Sequence, residues 1–95
     1  MSITFGPAGL GSVKTALKVL ESYNKLGLKA CEIAFTYSVY IKEVETAEIR
    51  QKALDLGIDL SIHAPYFVNL NSAEKEKREA TKKRILDCCR IGELL

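Results

Sequence analysis

Three times within 95 residues, a short apolar run gives way to a loop and then to a longer charged segment with helical spacing. The repeat is about thirty residues, the length of one strand-plus-helix unit. Parallel neighbours cannot be joined by a tight turn, so this alternation points to an α/β fold with parallel strands and right-handed crossovers. The first run is Ile3-Thr4-Phe5, followed by the turn Gly6-Pro7-Ala8-Gly9-Leu10-Gly11. Ser12 is placed to cap a helix whose apolar residues Val13, Ala16, Leu17 and Leu20 recur at i, i+3, i+4 and i+7, and Gly27 stops it. The second run, Ala30 to Phe35, leads through Thr36-Tyr37-Ser38-Val39-Tyr40 into a helix from about Glu43 to Leu56, with Ile49, Ala53 and Leu56 on its core face and Gly57 as its stop. The third run, Leu60 to Ala64, meets Pro65, and a loop over 66–72 precedes a helix from about Ala73, capped by Asn71 or Ser72. There Thr81, Ile85 and Cys88 form the inner stripe, while Glu74 with Arg78 and Glu79 with Lys83 are spaced for i, i+4 ion pairs.

Strand side chains alternate between faces. If Phe5, Cys31, Ile33, Phe35, Leu60 and Ile62 face the helices, then Thr4, Glu32, Ala34, Ser61 and His63 share the opposite face, which is small and polar. A doubly wound sheet is apolar on both faces, whereas the lumen of a (β/α)8 barrel takes polar residues near its catalytic rim. The expected architecture is therefore the first three units of a TIM barrel, read as one segment over residues 1–95. Three units of eight do not close.

Hydrophobic residues make up 47% and charged residues 27% of the chain, a mix that packs and does not stay disordered. The formal net charge of +2 does not by itself announce a nucleic-acid partner. Three cysteines, Cys31, Cys88 and Cys89, have neither framework nor metal-site spacing, which leads to the expectation of a reducing, cytoplasmic setting. No apolar run approaches the ~18 residues of a membrane span, and the first residues lack the pattern of a signal peptide, so no membrane partner is expected.

Few residues carry chemistry. His63 is the sole histidine and ends the third strand, at the rim where barrels bind ligands. A hydrogen-bonded structural role is its other reading. Glu32 lies within an apolar strand, where a carboxylate needs a metal, a hydrogen-bond network or a lysine or arginine beside it. The turn over 6–11 lacks the spacing of a phosphate-binding loop and reads as a tight strand-to-helix turn. The aromatic stretch 35–40, with Tyr66 and Phe67 on the next loop, offers stacking surfaces. The run Lys82-Lys83-Arg84 reads as a solvated helix face.

The segment from Leu60 to Ser72, with its strand-end His63, Tyr66 three residues on, and Val68-Asn69-Leu70, resembles the third-strand motif of the endonuclease IV family of apurinic/apyrimidinic endonucleases. Phe5-Gly6-Pro7-Ala8-Gly9 and Glu32-Ile33-Ala34-Phe35-Thr36 are similar to the first two strands of archaeal-type members. The resemblance implies a barrel of the xylose-isomerase-like superfamily, a zinc cluster at its rim, and hydrolysis of the DNA backbone 5′ to an abasic sugar. Carried over by position, His63 matches a zinc-ligating histidine, Tyr66 a tyrosine that lies against the DNA at the lesion, and Asn69 an asparagine taken to support the loop. Glu32 is a further supporting candidate. The chain departs from many members in having Pro7 where they have a histidine and Tyr40 where they have an arginine. The remaining zinc ligands belong to later strands, so the cluster is incomplete and the chain alone is expected to be inactive.

Two other readings remain open. One is a sugar isomerase or epimerase of the same superfamily, with Glu32 or His63 contacting a sugar and a divalent metal. The other is a non-catalytic fragment that self-associates or pairs with the missing part of the barrel through unpaired strand edges.

Overall fold

The computed structural model describes residues 2–95. A short 3-10 turn over Val13–Thr15 opens the first helix, α1 (Ala16–Lys25), followed by β1 (Ala30–Ala34), α2 (Glu43–Leu56), β2 (Asp59–His63) and α3 (Lys75–Leu94). The fold is mixed α/β, with three α-helices and a two-stranded parallel sheet among the described residues.

The expected first strand, Ile3-Thr4-Phe5, is not a regular strand. The chain does run alongside β1: Lys29 N–H donates to the Phe5 carbonyl (3.1 Å), Glu32 N–H to the Pro7 carbonyl (3.0 Å), and Gly9 N–H to the Glu32 carbonyl (2.7 Å). Only Ala8 forms a parallel bridge, with Glu32. Pro7 has no N–H to give a ladder and Gly9 sits at φ 118°, so the pairing cannot continue as a strand. Phe5 consequently does not face the helices and is 73% exposed. Gly6 is held to its identity by proximity, since a Cβ there would lie 1.7 Å from the Ala30 carbonyl oxygen.

β1 and β2 pair in the register Glu32 to Ser61 and Ala34 to His63. Along β1, Cys31 and Ile33 are buried and their neighbours are half-buried. Along β2, Leu60 and Ile62 are half-buried while Asp59, Ser61 and His63 are exposed. The alternation expected from sequence therefore holds in both strands, with Glu32, Ala34, Ser61 and His63 on the open face.

On the helix side, Ala16 and Leu20 of α1, Ile49 and Ala53 of α2, and Cys88 and Ile91 of α3 form one core with Cys31, Ile33 and Phe35. Val13, Leu17 and Leu56, three of the expected core residues, pack at its margin. Leu10, Ile41 and Ile58, from the connecting segments, complete it. Lys52 pairs with Glu21 across α1 and α2, and Arg90 with Glu43 (2.6 Å) across α2 and α3.

Capping explains the helix limits. At the start of α2 the Glu45 carboxylate accepts the Lys42 N–H (2.8 Å), and Gly57 closes the helix at φ 66°. Helix α3 starts two residues later than expected and Ser72 does not cap it. The Ser72 hydroxyl accepts Glu74 N–H (3.2 Å) and its carbonyl accepts from Arg78 (2.8 Å), so both serve the preceding turn. Arg78 is thereby drawn away from Glu74, which pairs with Lys77, and Glu79 and Lys83 take Lys82 and Asp87 as partners.

Candidate functional site

Parallel pairing brings the C-terminal ends of β1 and β2 to one rim, where the chain leaves each strand by a loop. Phe35 N–H donates to the His63 carbonyl (3.1 Å) and Tyr66 N–H to the Thr36 carbonyl (2.6 Å), so the two loops are laced together for three residues past the sheet. Thr36 sits at φ 60°, a left-handed conformation that a β-branched residue adopts only under constraint.

On the open face beside this lacing lie Glu32 and His63. The register makes them diagonal neighbours, and the Glu32 carboxylate Oε1 is 3.6 Å from His63 Nδ1. Their side chains are 42% and 53% exposed. The carboxylate is half-exposed and reaches water, so it does not need the buried partner expected from sequence. The imidazole is its nearest basic group, and among the described residues no lysine or arginine pairs with it. Tyr66 stands edge-on to the His63 ring with centroids 6.2 Å apart. Tyr37 packs against both residues of the next loop, edge-on to Tyr66 (6.1 Å) and stacked on Phe67 (6.2 Å, 26° between planes). Tyr37 and Phe67 remain 72% and 75% exposed, which leaves aromatic faces open next to the imidazole.

The fourth candidate, Asn69, stands apart from this group. Its N–H donates to the Thr81 hydroxyl (3.0 Å) and its side-chain oxygen accepts Asn71 N–H (3.0 Å), while Arg84 holds the Phe67 carbonyl (3.1 Å). These contacts brace the loop on α3. A cleft of about 590 Å³ opens there, lined by Phe67, Val68, Ala80, Thr81 and Arg84 among others, and its lining includes neither His63 nor Glu32.

The turn over 6–11 behaves as a tight connection: the Gly9 carbonyl accepts the Tyr23 hydroxyl (2.7 Å) and lies 3.7 Å from the Cys31 sulfur. Burial pushes the Cys31 thiol up from its ordinary range, with the Glu32 charge adding to it, and burial likewise raises the Tyr23 and Tyr40 hydroxyls. Sequence reasoning missed Thr36 as the residue that joins the loops, because nothing in a threonine signals positive φ.

Imidazole and carboxylate are donors that zinc accepts, so Glu32 and His63 fit a metal site in kind. They fall short in number. Among the described residues, no group of three or more His, Cys, Asp and Glu side chains is placed to hold a metal ion. No described helix is long and apolar enough to cross a membrane.

No family model matches the chain, and no solved structure matches it. An uncharacterized protein of Methanocaldococcus jannaschii is 34% identical to it over 90 residues, which are 94% of this chain and 32% of that protein. The chain therefore spans about a third of the length of the relative it matches.

Proposed function

We propose that this chain is the opening part of a (β/α)8 barrel of the endonuclease IV type, a zinc-dependent phosphodiesterase acting at abasic sites in DNA, and that the 95 residues alone are inactive. The observation that carries the reading is the grouping of Glu32, His63 and Tyr66 on the open face at the C-terminal ends of two parallel strands. In barrel enzymes that rim bears the chemistry. The length of the relative adds support, because a closed barrel takes ~250 residues and three of its eight units take a little over a third of that.

In this reading His63 contributes one imidazole to the metal site, and the other ligands come from chain beyond the third unit. Zinc, when bound, supplies charge stabilisation at the phosphate. Tyr66, held upright by Tyr37 and the Thr36 carbonyl, presents its ring to the DNA where a base is missing. Asn69 keeps that loop fixed on α3. The net charge of +2 neutralises few phosphates, so DNA binding by this chain alone is weak and falls steeply with salt.

The test uses two proteins and one substrate, a labelled duplex with a single abasic analogue. With zinc, the full-length Methanocaldococcus relative should incise at the lesion and lose that activity in EDTA, whereas the 95-residue chain should leave the duplex intact. A relative that ignores the lesion but interconverts an aldose and a ketose would replace this reading with the sugar isomerase one. Zinc-dependent incision by the short chain, lost in His63→Ala, would show that self-assembly rebuilds a working site.

A further inference from the structure

The residues of β2, Asp59-Leu60-Ser61-Ile62-His63, are symmetric about Ser61 in all but charge. Leu60 answers Ile62, and Asp59 answers His63, an acid against a base. Asp59 N–H donates to the Lys29 carbonyl (2.9 Å) and Phe35 N–H to the His63 carbonyl (3.1 Å), so β1 takes up the backbone groups of Asp59, Ser61 and His63. Those of Leu60 and Ile62 point to the other edge, and among the described residues no strand pairs with it. We infer that this edge is an interface between two copies of the chain, in which β2 pairs antiparallel with β2 of the partner about a two-fold axis through Ser61.

With Ser61 opposite itself, Leu60 exchanges both backbone hydrogen bonds with Ile62 of the partner, and Ile62 does the same with the partner's Leu60, so every outward donor and acceptor finds a mate. Leu60 and Ile62, each half-buried, then lie side by side on the helix face. On the open face exposed Asp59 comes opposite the partner's His63, where like charges would repel and an acid and a base attract. A slip of one residue sets apolar side chains against polar ones. A slip of two leaves only Asp59 to Ser61, or Ser61 to His63, in the pair. Gly57, at φ 66°, and Pro65, which has no N–H, end the ladder on either side of this register. Charged residues on an edge strand ordinarily discourage pairing, and here the one register that uses the whole strand turns each charge toward its opposite. Nothing in this pairing depends on the endonuclease reading, because it uses the sheet edge and not the chemistry of the rim.

Ser61→Cys reads the register directly. Cys89 is the exposed native thiol and is removed as Cys89→Ser, while Cys31 and Cys88 are buried. Facing residues of a non-hydrogen-bonded antiparallel pair lie ~4.5 Å apart at Cα, within reach of a disulfide. Oxidation with diamide should therefore convert the Ser61→Cys chain into a covalent dimer. Asp59→Cys and His63→Cys in the same background should stay monomeric, since each thiol is then ~13 Å along the strand from its copy. All three positions are exposed on the open face, so each variant should keep the native amide spectrum. Sedimentation equilibrium under reducing conditions gives the second measurement. The unsubstituted chain should form a concentration-dependent dimer, and Asp59→Lys, which sets a lysine beside each imidazole, should weaken it ~2–30-fold. His63→Lys, which keeps a base opposite Asp59, should hold or tighten it. Both lysine variants add positive charge, so general repulsion between copies would weaken both. An unsubstituted chain that is monomeric at millimolar concentration, crosslinking at residue 59 or 63 as fast as at 61, or equal weakening by the two lysines would each overturn the pairing.

Discussion

The Thr36 carbonyl accepts the backbone N–H of Tyr66 at 2.6 Å, and Thr36 holds that position at φ 60°. A left-handed backbone costs a residue with a Cβ about 1–2 kcal/mol. Thr36→Gly relieves that cost but adds flexibility to the unfolded chain, worth ~0.5–1 kcal/mol. The expected outcome is a neutral to slightly stabilised protein in urea titration, with the Tyr66 amide still protected from exchange. A loss above about 1 kcal/mol would mean that the threonine side chain contributes something the backbone argument omits.

Leu20 is fully buried and Val44 is 86% exposed, though both are aliphatic helix residues. Leu20→Ala should cost about 2–5 kcal/mol by lost transfer energy and an unfilled cavity, while Val44→Ala should stay within ~0.5 kcal/mol. A domain of this size has little reserve, so Leu20→Ala should approach complete unfolding. Thermal melts of both variants decide the matter, and equal shifts would contradict the assigned core.

Cys31, Tyr23 and Tyr40 all have their proton affinity raised by burial in the folded chain. Each holds its proton when its unfolded counterpart has begun to release it, so the unfolded state binds fewer protons as pH climbs. Stability is thus full below 9.0, the ordinary value for the thiol, and declines as pH rises through it and on past 10.0, the ordinary value for the tyrosines. Urea midpoints measured on either side of that range should fall with pH. A midpoint that rises instead would contradict the burial of these groups.

Lys29 accepts Asp59 N–H (2.9 Å) and His63 accepts Phe35 N–H, so the backbone groups of Asp59, Ser61 and His63 point at β1 while those of Leu60 and Ile62 point away. The proposed barrel requires that outer edge to pair with further chain, and a second copy is the available substitute in a solution of the 95-residue protein. Amide exchange should then be slow at Ser61 and His63 at every concentration, and slow at Leu60 and Ile62 only when the protein is concentrated. Exchange at Leu60 that is independent of concentration would dismiss self-association through this edge.

The parts of the fold that depend on local pattern were legible in the sequence. Apolar spacing placed α1 and α2, Gly57 marked the end of α2, and period-two alternation put Glu32 and His63 on one face, whereas the Glu45 cap at the start of α2 went unread. Whatever depended on a second segment was not. Phe5 looked like a strand residue because Ile3-Thr4-Phe5 has strand composition, and the constraint came from Pro7 and from the approach of Gly6 to Ala30. The start of α3 moved because Arg78 found the Ser72 carbonyl. For the site, alternation gave the shared face, but only the register, Glu32 opposite Ser61, brings the carboxylate to the imidazole. A single strand carries no information about register.

Gly6 leaves no room for even one additional carbon against the Ala30 carbonyl. In a library that varies every position, this site should return a single letter, while Phe5 beside it, mostly in solvent, should return many. The residue that looks most like a core anchor is then interchangeable, and the smallest one in the segment decides whether the chain's beginning can lie against β1 at all.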